Sequence, residues 1–119
     1  MHTNYEVVKS AVLRTFTKLR TTGLVCRSNF TCCGTCGAYE ITEMAGKRDN
    51  TRGYAFWHRQ DETGLRAGGD LYLRFGAFDW SSKTSEEVAQ QIVDELRREP
   101  SIQVEWNGDP ATCIHVKAA

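Results

Sequence analysis

Apolar positions near the start of the chain recur at three- and four-residue intervals: Tyr5, Val8, Val12, Phe16 and Leu19. That spacing lines one face of a helix, with Lys9, Arg14, Lys18 and Arg20 mainly on the others. Thr3 and Glu6 suit a capping box at its start, and Gly23 suits a left-handed stop just past its end near residue 22. The pattern then dissolves. Residues 24–37 are punctuated by glycine and cysteine without a period, which predicts a loop. A short helix is expected over Ala38–Ala45, with Ala38, Ile41 and Ala45 on one side, followed by a polar, exposed connection from Gly46 to Gly53.

Gly53-Tyr-Ala-Phe-Trp-His is dense in aromatic side chains and predicts a first strand. Arg59 to Gly69, with Asp61 as a helix cap and Gly68-Gly69 at its end, predicts a loop or a single helical turn. From Asp70 to Phe78 the period becomes two: Leu71, Leu73 and Phe75 alternate with Tyr72 and Arg74, so a half-buried strand with its leucines inward is expected. Thr84 and Glu87 form a second capping box, opening a helix whose inner stripe is Val88, Ile92 and Leu96, flanked by Ala89 and Val93. Arg97 and Arg98 suit its C-terminal dipole and Pro100 stops it. A hairpin closes the chain. Ile102, Val104 and Trp106 face one way, Asn107-Gly108 turns, and Ile114 and Val116 return. The order predicts an α+β fold: a mostly antiparallel four-stranded sheet with two main helices packed on one face.

A length of 119 residues and 13.4 kDa fits one domain, residues 1–119, able to bury a core without disulfides or metal. The 15 basic and 15 acidic side chains cancel, which removes any broad electrostatic case for nucleic acid or an anionic membrane. No apolar run approaches a membrane helix, and Met-His-Thr-Asn-Tyr-Glu is not the opening of a secretory signal, so a cytoplasmic chain is expected. Tyr54, Phe56, Trp57, Tyr72, Phe75, Phe78, Trp80 and Trp106 read as core side chains; no interleaved Lys/Arg motif makes them a base-stacking platform.

Candidate chemistry concentrates in sulfur. Cys26, Cys32, Cys33 and Cys36 lie within eleven residues, and Cys113 stands apart. Cys33-x-x-Cys36 can chelate one zinc ion, because a tight turn brings both sulfurs to one shell. Cys26 is the nearest third ligand, with His58, Cys113 or His115 able to complete the set. This is half a motif, since no second Cys-x-x-Cys or His-x-x-x-His pair exists. The same pair can be a redox dithiol if a helix begins after it, its dipole favouring thiolate. A thiol paired with His58, oriented by Asp61, would be a nucleophile. Reduced cysteines are also small hydrophobes, and glycines 34 and 37 would let such a loop pack with no ligand at all. A second polar group, His58-Arg59-Gln60-Asp61, follows the aromatic strand, where ligand-binding residues accumulate and where a strand can equally just reach solvent.

Four strings, Phe30-Thr-Cys-Cys-Gly-Thr-Cys-Gly, Gly53-Tyr-Ala-Phe-Trp-His-Arg-Gln-Asp, Gly69-Asp-Leu-Tyr-Leu-Arg-Phe-Gly-Ala-Phe and Val104-Glu-Trp-Asn-Gly, together resemble a family of small bacterial domains, common in actinobacteria, of unknown function. The likeness spans roughly residues 24–116. It implies no activity, substrate or cofactor, but it implies that Cys32, Cys33, Cys36, His58, Gln60 and Asp61 belong to one pattern, which favours a shared site. Relatives continue with a Trp- and Arg-containing tail, whereas this chain stops at Val116-Lys-Ala-Ala, as a shortened phage or mobile-element copy would. The expectation is a non-enzymatic binding module for a protein partner, its cysteine loop held by packing or by zinc. The alternatives are a dithiol oxidoreductase using Cys33 and Cys36, and a small inhibitor of a defence complex.

Overall fold

A computed structural model describes residues 4–28, 52–78 and 81–119. Helix α1 runs Asn4–Arg20 and buries Val8, Ala11, Val12, Phe16 and Leu19, the stripe that the three-and-four spacing predicts. Its chain reverses at Gly23, whose φ of 90° is the left-handed conformation a side chain resists. Strand β1 follows at Leu24–Arg27, then β2 at Gly53–Phe56, helix α2 at Arg59–Arg66, β3 at Leu71–Ala77, α3 at Ser82–Leu96, β4 at Ile102–Glu105 and β5 at Ile114–Ala118. Thr3, the expected helix over Ala38–Ala45 and the connection as far as residue 51 lie outside the described residues, as do Cys32, Cys33, Cys36 and Trp80.

The class is α+β, but its details differ from expectation. Among the described residues the sheet has five strands in the order β1-β2-β3-β5-β4, and β1 pairs parallel to β2; the other three pairings are antiparallel. The added strand is Leu24–Arg27, expected to be loop: a four-residue strand buried at Leu24, Val25 and Cys26 shows no alternation to read. The described residues hold three helices. Arg59–Arg66, expected to be a loop or one turn, is a helix of 8 residues. Asp61 is not its cap; His58 is. Helix α3 starts earlier than the Thr84–Glu87 box implies, because the Ser81 hydroxyl accepts the Thr84 N–H at 3.3 Å.

One core cluster draws on all eight elements. Helices α1 and α3 lie against the sheet face formed by Leu24, Cys26, Ala55, Leu71, Leu73, Ile114 and Val116. The rings of Phe16 and Trp57 meet there with centroids 5.5 Å apart; truncating either to Ala would cost about 3–5 kcal/mol. A β-carbon at Gly53 would sit 2.6 Å from Val88 Cγ2, so only glycine lets α3 come this close to β2. On the opposite face a smaller cluster forms from Val25, Tyr54 and Phe56, with Phe78 against it. The leucines of β3 are fully buried while Tyr72, between them, is 38% exposed, the alternation expected.

Strand β3 changes partner part-way along. Leu71–Leu73 pair with Ile114–Val116 of β5, and Arg74–Ala77 pair with Gly53–Phe56 of β2. At the changeover β5 has ended, and the side of β3 from Phe75 onward borders the loop that leads into β5. This step in the sheet sits beside His58.

Candidate functional site

Beyond Phe56 the chain leaves β2 and turns at once into α2, so Trp57 and His58 are fixed by strand geometry on one side and helix geometry on the other. His58 is the helix N-cap: its Nδ1 accepts the Asp61 N–H at 3.2 Å, and the Asp61 carboxylate accepts the His58 N–H, also at 3.2 Å. Two orphan amide groups at the helix start are satisfied reciprocally. Accepting at Nδ1 places the imidazole proton on Nε2, which lies 3.3 Å from Asp61 Oδ2. Burial pushes the His58 pKa below its ordinary value. Asp61 opposes that shift and the Arg74 charge assists it, so the ring is neutral at physiological pH.

Arg74, on the solvent side of β3, reaches the same carboxylate with two donors, Nε and one terminal nitrogen, each 3.4 Å from an Asp61 oxygen. Its other terminal nitrogen donates to Cys113 Sγ at 3.5 Å. The sheet register explains the meeting: Leu73 pairs with Ile114, so the next residues outward, Arg74 and Cys113, emerge side by side. Burial raises the Cys113 pKa; Arg74 pulls it down and Asp61 pushes it up, leaving a protonated thiol. A cavity of about 160 Å³ opens against this group, lined by Arg74, Phe75, Pro110, Ala111, Thr112 and Cys113. Its far wall is a loop stiffened by its own hydrogen bonds: Asn107 Oδ1 accepts from the Asp109 N–H and the Thr112 hydroxyl, and Asp109 Oδ1 accepts the Ala111 N–H.

Of the residues singled out from sequence, His58 and Asp61 are together and buried, at 3% and 7% exposure. Gln60, between them on α2, is exposed. Cys26 lies elsewhere. It pairs in register with Ala55 and sits in the apolar core, where burial lifts its thiol to about 12 against the pull of Arg20 and Arg27. Its side chain is packed and protonated there, and Cys33 and Cys36, the thiols expected to join it on a metal, lie outside the described residues. His115 is half-buried, its ring edge-on to Tyr72 with centroids 4.4 Å apart. Among the described residues no group of three His, Cys, Asp or Glu side chains is placed to hold a metal ion, and no helix is long and apolar enough to cross a membrane.

A family model described as a domain of unknown function (DUF6891) matches residues 9–119. The chain belongs to that family. No curated protein and no solved structure matches it. The DUF6891 match runs through every described element from within α1 to the end of the chain, so it takes in His58, Asp61, Arg74 and Cys113 alike.

A second polar group in this DUF6891 domain escaped the sequence reading. Glu62, one residue past Asp61 and 4% exposed, points the other way, toward α1. It accepts the Trp57 indole N–H at 2.6 Å, the Tyr5 hydroxyl at 2.5 Å and Lys9 Nζ at 2.8 Å. Burial raises the Glu62 pKa, but these donors and the Lys9 charge outweigh it, and the carboxyl titrates below its ordinary value. The sequence pattern marks Trp57 as core and gives Glu62 no distinguishing mark. The available signal was a Trp and a Glu five residues apart flanking a helix start. Arg74 was visible as the polar member of an alternating strand, but its pairing with Cys113 needs the β3–β5 register.

Proposed function

We propose that this domain is a non-enzymatic binding module that takes its partner at the step in the sheet, on the surface formed by Arg74, Phe75 and the loop 110–113. One observation carries the reading. The ionisable groups there are matched to one another instead of being poised for proton or group transfer: a neutral imidazole, a carboxylate neutralised by a guanidinium, and a protonated thiol. A general base needs a free lone pair and a nucleophilic cysteine needs a thiolate; here the Asp61 N–H occupies the His58 Nδ1 lone pair and the Cys113 thiol is held protonated. Recognition suits the arrangement. Arg74 is about one-third exposed, and of its five N–H groups three are engaged, leaving two for an acceptor on a partner. Phe75 supplies apolar surface beside them. A cytoplasmic, reducing setting that keeps the thiols free is part of this proposal.

The test pairs a partner isolated on the immobilised domain, then purified, with calorimetric titration against two variants. Ala111→Trp fills the cavity from an exposed position and leaves the polar group intact; it should weaken binding about tenfold or more with no change in melting temperature. Arg74→Gln should weaken it similarly. Binding unchanged in both variants, or steady turnover of a disulfide substrate by the domain, would replace this reading with another surface or with the dithiol oxidoreductase.

A further inference from the structure

The two edges of the sheet are finished differently. At β1 one carbonyl is capped by side chains: Cys26 O accepts from Arg20 at 3.0 Å and from Arg27 at 3.1 Å. At β4, the last strand on the other side, no described strand pairs beyond it. The Ala119 N–H donates to the Ser101 carbonyl at 3.0 Å, so Ser101 turns its backbone groups toward β5. By the alternation of antiparallel strands, Gln103 and Glu105 do the same, and Val104 presents its N–H and C=O outward.

Natural sheets guard such edges with lysine, proline or a bulge, or keep them very short. Strand β4, of 4 residues, has no lysine, proline or bulge. Its register with β5 is unbroken over four pairs, and its one charge, Glu105, is held by Lys117 at 2.9 Å. Beside it lies an open groove of about 490 Å³ lined by Arg97, Val104, Trp106, Asn107 and their neighbours, with Val104 and Trp106 only partly buried.

We infer that this edge pairs with β4 of a second copy, antiparallel about a two-fold axis at Val104. The sequence is its own complement in that register. Ile102 falls opposite Trp106 of the partner, Val104 opposite Val104, and the Gln103 amide opposite the Glu105 carboxylate, so no like charges face each other. Zero net charge leaves no long-range repulsion to prevent the approach. The result joins the five described strands of each copy into one continuous sheet. Only one strand and its groove are covered, an area below that of a standard stable interface, so the dimer is weak.

Sedimentation of the full chain from roughly 1 µM to roughly 300 µM should show monomer passing to dimer, with a dissociation constant of order tens of micromolar. Val104→Pro removes the outward N–H without touching a bond to β5 and should abolish the dimer. Because proline can also disturb the strand, Gln103→Glu is the companion variant. It faces Lys117 within its own chain but Glu105 across the axis, and should weaken the dimer about tenfold while the monomer melts no lower. A chain that stays monomeric at the highest concentration, or a dimer indifferent to Gln103→Glu, overturns the inference.

Discussion

Asp61 and Glu62 are neighbours in sequence, both buried, both on the first turn of α2, and they serve opposite sides of the molecule. Glu62 faces the helices, with three donors at 2.5–2.8 Å tying α1, Trp57 and α2 into one unit. Asp61 faces the solvent side of the sheet, where its contacts to His58 and Arg74 run 3.2–3.4 Å beside an open cavity. The shorter set is a closed structural joint whose hydrogen bonds to Tyr5 and Lys9 hold α2 to α1. The longer set leaves a guanidinium partly available at the surface. Burial of a carboxylate alone therefore does not mark a functional group; what its partners still have to offer does.

That contrast is sharpest in Glu62→Ala. Removing the carboxylate strands the buried Trp57 N–H and the Lys9 charge, and should cost about 3 kcal/mol in urea denaturation. A loss under about 1 kcal/mol would mean that water replaces the joint freely. Asp61→Ala should cost less, about 1–2 kcal/mol, since it removes half a capping box and leaves Arg74 able to reach solvent. Equal costs for the two variants would erase the distinction drawn between them.

Acid should separate the same two groups by pH. His58 has a folded pKa below its ordinary 6.5, so the unfolded chain takes up the proton first; its contribution is complete above 6.5 and declines as the pH falls below it. Glu62 has a folded pKa below its ordinary 4.5, so its contribution holds above 4.5 and is lost as the pH drops further. Stability curves should therefore fall in two stages. In His58→Asn, which preserves the N-cap acceptor, the first stage should vanish and the second remain. The smallest effect belongs to Gln60→Ala. Exposed between the two buried carboxylates, it should change stability by no more than about 0.5 kcal/mol, and a larger loss would place it in a shared site after all.

Periodic segments were readable in the sequence because their burial is one-sided. The stripe of α1, the alternation of Leu71-Tyr72-Leu73 and the β4–β5 hairpin all keep one wet face, which writes a period into the residues. Strand β1 has no such face: Val25 and Cys26 are buried on opposite sides, and four residues are too few to show a pattern. Helix α2 reads as no more than one turn because Thr63 and Gly64 are poor helix formers and its cap is a histidine, outside the usual set; the Glu62 joint that ties it to α1 is tertiary. At the site, His58 and Asp61 were visible because they are close in sequence. Arg74 and Cys113, 39 positions apart, were not, because only a strand register brings them together. Cys26 belonged by sequence to the sulfur cluster and by structure belongs to the core.

The partner change along β3 has a consequence for how the molecule breathes. One half of the sheet can open from β3 while the other half stays paired, because each half holds separate residues of that strand. Amide exchange should accordingly resolve two cooperative blocks that meet between Leu73 and Arg74, with the proposed recognition surface lying on the seam.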